Sequence, residues 1–66
     1  MKIGNELKFH REHASLSQAE LAKQIKTSQQ NISRWEADEV EPSIYVCIAL
    51  ADYYKISIDE LIGRKI

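Results

Sequence analysis

The stretch Ser17-Gln18-Ala19-Glu20 is a capping box, and Ser28, eleven residues after Ser17, can cap a second helix. In such a box the serine hydroxyl accepts from the amide three residues on while the glutamate carboxylate returns to the serine amide, so two backbone donors at a helix start are satisfied. Leu16 before the cap, with Leu21, Ala22 and Ile25 after it, supplies a staple-like contact and an inward stripe that stops near Ile25, which predicts a helix over 17–25. Lys26 and Thr27 leave only a short connection to the next helix, expected over 28–36 with Ile32 and Trp35 as its clear apolar anchors. Helices this short are marginal alone, so the rest of the chain must supply apolar faces for them to meet.

A chain of 66 residues allows one domain at most, and scaling for its size lets folding bury only about 60% of the unfolded surface. Two glycines and one proline are few for a chain of β-turns, so the expected class is all-α, one compact five-helix domain over 1–66. Ile3, Leu7 and His10, with Ala14 and Leu16 following, predict a helix over 3–13, with Phe9 off the stripe. Pro42 and Ser43 open a helix over 43–54 whose inward stripe reads Ile44, Cys47, Leu50, Ala51 and Tyr54; Tyr45, Val46, Ile48 and Tyr53 widen it beyond one face. Ser57 and Glu60 form another capping box for a helix over 57–62 carrying Ile58, Leu61 and Ile62, with Gly63 as terminator and Arg64, Lys65 and Ile66 as a tail.

Cys47, the sole cysteine, reads as a small buried hydrophobe. His10 and His13 share no constellation with it or with paired carboxylates, and there is no glycine-rich phosphate loop, so no enzyme, metal or cofactor is expected. No segment has a signal-peptide core or the 18 to 20 apolar residues that span a bilayer, which makes a cytoplasmic protein with no membrane partner the expectation.

The net charge of −1 conceals a polarity. Residues 1–34 carry Lys2, Lys8, Arg11, Lys23, Lys26 and Arg34 against Glu6, Glu12 and Glu20, a balance of +3, while residues 35–66 sum to −4. One face can meet phosphate while the other points to solvent or to a basic partner. On the helix over 28–36, Gln29, Gln30, Asn31, Ser33 and Arg34 surround the two anchors, a surface rich in long-reach hydrogen-bonding groups. Two short helices separated by about three residues match a helix-turn-helix, whose second helix enters the major groove amino end first. Glutamine pairs with adenine and arginine with guanine, each good pair giving about 1–3 kcal/mol of discrimination. Gln30 and Arg34 lie one turn apart on one side, and Gln18 and Ser28 near helix amino ends can hold phosphates.

The run from about Ile3 to Ile62 resembles the helix-turn-helix family typified by lambda repressor and Cro, also called the xenobiotic-response-element family. Leu16-Ser17-Gln18-Ala19-Glu20-Leu21-Ala22 and Thr27-Ser28-Gln29-Gln30-Asn31-Ile32-Ser33-Arg34-Trp35-Glu36 carry the likeness, which is especially close to the reading region of lambdoid phage repressors. Pro42-Ser43-Ile44, Leu50-Ala51 and Ser57-Ile58-Asp59-Glu60-Leu61 are similar to its fourth and fifth helices. The resemblance implies a lambda repressor-like domain that binds double-stranded DNA sequence-specifically, as a transcriptional regulator repressing by operator occupancy. It implies base-reading positions at Gln29, Gln30 and Arg34, phosphate-contacting positions at Gln18 and Ser28, and added backbone contacts from Thr27 and Asn31. Lys8, Lys23 and Lys26 are further candidates for phosphate. Arg11 and Glu36 are implied to form a structural ion pair.

The chain departs from the family where glycine is common, near Ser15 and near Ala37, and puts His10 where an aliphatic residue is usual. Asp38, Glu39 and Glu41 place acid in a loop that the family often makes basic or small. A homodimer on an inverted-repeat operator is expected, with Tyr45, Val46, Ile48, Tyr53, Ile62 and Ile66 as contact candidates. The alternative is an antitoxin-like or other protein-interaction module that uses the acidic carboxyl half.

Overall fold

The structure, a computed structural model, describes residues 2–64. Five helices follow in order, α1 (Gly4–His13), α2 (Gln18–Gln24), α3 (Gln29–Glu36), α4 (Ile44–Tyr54) and α5 (Ile58–Ile62), and the described residues contain no strand. The domain is all-α, 31 × 24 × 20 Å across.

Local chemistry fixes the helix ends. Ser17, Ser28, Ser43 and Ser57 each accept from the amide three residues on, and the reciprocal Glu20 carboxylate takes the Ser17 amide at 2.9 Å. Ile3 offers α1 no such acceptor; the Asp38 carboxylate supplies it from 34 residues away, taking the Gly4 amide at 2.8 Å. The carboxyl ends share one solution. Leu16, Thr27, Glu39, Ile56 and Arg64 each donate a backbone N–H to the carbonyl five residues earlier, around a left-handed residue at Ser15, Lys26, Asp38, Lys55 and Gly63. This is the Schellman closure, and only at Gly63 does it use the residue that adopts positive φ without penalty. The turn near Ala37 keeps its left-handed residue one position on, at Asp38 with φ 60°.

The core comprises Ile3, Leu7, Leu21, Ala22, Ile32, Trp35, Cys47, Leu50, Ala51 and Leu61. α1 packs on α3 and α5, α2 on α3, and α4 on α5. Gly4 lies so close to the end of α3 that a Cβ there would collide with the Glu36 carbonyl, which ties the start of α1 to the end of α3.

Three residues of the carboxyl half differ from expectation. Ile44, read as inward, is 59% exposed, whereas Val46, read as surplus, packs against the core. The two flank the Cys47–Leu50–Ala51–Tyr54 stripe on opposite sides at roughly equal angles on a helical wheel, so only the covering elements decide which is buried. Ile62, a contact candidate, is partly buried and packs against the core. Ile66 lies outside the described residues.

Candidate nucleic-acid interface

Ile32 and Trp35 turn α3 inward on one side, which leaves Gln29, Gln30, Ser33 and Arg34 exposed on the other. The amino end of α3 is ordered by its own side chains. Ser28 Oγ accepts from the Asn31 amide at 3.1 Å, and Asn31 Nδ2 donates to Thr27 Oγ1 at 3.0 Å. Thr27, Ser28 and Asn31 therefore brace the turn between α2 and α3 as well as lying beside the exposed glutamines.

At the other end of α3 the Glu36 carboxylate receives three hydrogen bonds. Arg11 Nε reaches Oε2 at 2.6 Å, Arg11 Nη2 reaches Oε1 at 3.0 Å, and Gln18 Nε2 reaches Oε1 at 3.1 Å. Arg11 also donates through Nη1 to the Leu16 carbonyl at 2.8 Å. The two charged side chains are only 10% and 6% exposed. The hydrogen bond to Glu36 raises the Arg11 pKa against the opposing effect of burial. A fork-to-fork pair with its remaining groups satisfied is the geometry in which a buried ion pair holds its place. It links α1, α2 and α3 and fixes the position of Gln18.

Lys8, Arg11, Gln18 and Ser33, together with Glu36 and Ala37, line an open depression of about 300 Å³ between these three helices. The fold thus brings Lys8 together with Gln18. Lys23, in the last turn of α2, and Lys26, in the left-handed position of the turn, are exposed and lie outside that depression.

In the sequence Asp38 reads only as one acid of an acidic loop, yet its carboxylate accepts from the Gly4 amide. The available signal was Ile3: a helix whose capping position has no side-chain acceptor needs one from elsewhere. The left-handed conformation of Lys26 was also missed. Glu39 and Glu41 are exposed in the same loop. No cluster of side chains suited to a metal ion is present among the described residues, and no described helix is long and apolar enough to cross a membrane.

The helix-turn-helix family profile matches residues 7–61, which includes all of α2, the turn and α3. The chain is 31% identical over 64 residues to the HTH-type transcriptional regulator ImmR of Bacillus subtilis (strain 168), covering 97% of this chain and 50% of that protein. It is 36% identical over 64 residues to the cryptic phage CTXphi transcriptional repressor RstR of Vibrio cholerae, covering 97% of this chain and 57% of that one. It spans about half the length of these curated relatives. Among solved structures, the P22 c2 repressor protein in complex with synthetic operator 9T is similar with a TM-score of 0.85 and 29% identity, over 98% of each chain. With the order of the helices, the capped turn and the matched span in agreement, the chain belongs to the helix-turn-helix family.

Proposed function

We propose that this protein is a sequence-specific double-stranded DNA-binding transcriptional regulator that represses by occupying an operator, with α3 in the major groove. The observation that carries this reading is α3 itself: braced at both ends and anchored by two buried residues, it leaves Gln29, Gln30 and Arg34 exposed as base readers. The resemblance to a repressor solved with its operator supports the same reading. One Gln18 amide hydrogen goes to Glu36, which leaves the other for a phosphate oxygen, with Lys8 beside it. The backbone amides after Ser28 add a second phosphate contact at the start of α3, and Lys23 and Lys26 extend the basic surface beyond it. Operator occupancy puts the protein in the cytoplasm and requires no chemistry.

Two copies bind one inverted repeat, because one domain reads too few base pairs to stand out among competing sites. The apolar side chains available to a second copy include Ile44, Tyr45 and Ile48 on α4 and Val40 in the loop before it, 59%, 80%, 44% and 49% exposed. This surface replaces Val46 and Ile62 as the contact set, and Tyr53 lies on the other flank of α4. Sedimentation with a selected operator yields a two-to-one complex for the native chain and a one-to-one complex for Tyr45→Asp; a single native copy bound with full specificity contradicts the dimer.

Gln30→Ala and Arg34→Ala each weaken operator binding by about 1–3 kcal/mol and leave binding to mismatched duplex nearly unchanged. Titration of both DNAs with each variant is the test, and an equal loss on both removes the base-reading assignment.

A further inference from the structure

A second surface lies on α1 away from the proposed DNA face. Lys8 and Arg11 face the depression toward α2 and α3, whereas Glu6, Phe9 and His10 line a separate opening of about 350 Å³ between α1 and α5. Phe9 is 57% exposed and serves no core purpose. It belongs to a continuous string of rings: His13 stacks on Phe9 at 5.6 Å and 14°, Phe9 meets His10 edge-on at 5.3 Å, His10 meets Tyr54 at 5.9 Å, and Tyr54 meets Tyr53 at 5.4 Å. His10 Nε2 donates to the Glu60 carbonyl at 3.0 Å, which fastens the string to α5.

The charged residues that line the opening are predominantly acidic. Glu6, Asp59 and Glu60 line the opening against Arg64, which reaches Asp59 at 3.9 Å, while Glu60 Oε1 accepts from the Ser57 hydroxyl at 3.5 Å. Aromatic faces beside carboxylates attract a planar cation: a guanidinium can stack on a ring while its N–H groups bond a carboxylate. The same carboxylates repel nucleic-acid phosphate. An apolar anchor on the incoming segment has the exposed Phe9 ring to cover.

We propose that the α1–α5 opening, with its aromatic string and its predominantly acidic lining, docks an arginine-bearing basic segment of a partner protein while α3 remains on DNA. This proposal is independent of the base-reading assignment, because the two surfaces share no residue. The separation makes the protein a bridge, able to hold a basic protein segment beside its operator.

The test uses a fluorescein-labelled peptide of alternating arginine and leucine, titrated into the whole chain with and without operator, alongside the matching lysine and citrulline peptides. The arginine peptide binds best, the citrulline peptide loses binding, and operator DNA leaves the affinity unchanged. Phe9→Ala, at an exposed position that the fold does not depend on, weakens the arginine peptide about tenfold. Amide NMR shifts gather at Glu6, Phe9 and Glu60. Equal affinity for Phe9→Ala, equal binding of the citrulline peptide, or shifts centred on residues 38–41 would each overturn the proposal. So would loss of self-association in Phe9→Ala without peptide binding, which assigns the face to a second copy.

Discussion

α3 and α4 solve opposite problems. α3 has two buried anchors and a polar remainder, so only one orientation buries what needs burying, and the outward side is settled by exclusion. α4 is nearly all apolar, so several orientations bury a stripe, and its final angle is set by the helices that cover it. A sparse apolar pattern therefore specifies which side of a helix faces outward better than a rich one does. The sparse helix has directional supports at its ends, which Ser28 and the Arg11–Glu36 pair supply, whereas the rich one leaves Ile44, Tyr45 and Ile48 exposed.

The largest effect that separates the two helices is a paired truncation. Ile32→Ala removes a 2% exposed anchor of α3 and costs about 2–5 kcal/mol, enough to leave so small a domain largely unfolded. Ile44→Ala on the exposed side of α4 changes stability by no more than about 0.5 kcal/mol. Denaturant unfolding compares them, and similar losses erase the distinction.

Next comes the support at the end of α3. Arg11→Ala leaves the Glu36 carboxylate with only Gln18 and costs about 2–3 kcal/mol. The double variant with Glu36→Gln loses less than the sum of the single losses; additive losses in the double-mutant cycle reject the coupling.

On the α4 side, burial pushes the Tyr54 phenol up from 10.0 to about 12, and its hydroxyl has no hydrogen-bond partner among the described residues. An acid whose folded pKa is raised binds its proton more tightly in the folded state, so its contribution to stability is complete below pH 10 and is lost as pH rises toward 12. The loss is about 1–2 kcal/mol after allowance for partial exposure. Tyr54→Phe flattens this alkaline decline and changes stability little near neutral pH, because it deletes an unsatisfied group. An unchanged alkaline slope in the variant excludes Tyr54 as its source.

The smallest effect is at the end of α4. Lys55 holds a left-handed conformation at φ 58°, and Lys55→Gly stabilises the domain by about 0.5–1 kcal/mol. Thermal unfolding detects this, and a destabilised variant contradicts the claim that α4 ends under strain.

What was legible in the sequence was local. A serine hydroxyl acts on an amide three residues away, so the starts of α2, α3, α4 and α5 could be read directly. The Arg11–Glu36 pair, which spans 25 residues, was expected only through family resemblance. Beyond reach were features created by distant neighbours: the choice between Ile44 and Val46, the Asp38 cap on α1, and the left-handed turn at Lys26, where a lysine gives no sign of positive φ. The exposed face of α3 was readable because helical periodicity alone separates Ile32 and Trp35 from Gln29, Gln30 and Arg34.

The most direct test is a binding selection over randomised duplexes at fixed salt, performed with the native chain and with Arg34→Ala. The account predicts enrichment of an inverted repeat with half-site centres about 10 base pairs apart, and relaxed preference in the variant at a guanine of each half-site. Recovery of no sequence above the input pool, or an unchanged preference in Arg34→Ala, contradicts the claim that α3 reads DNA through these side chains.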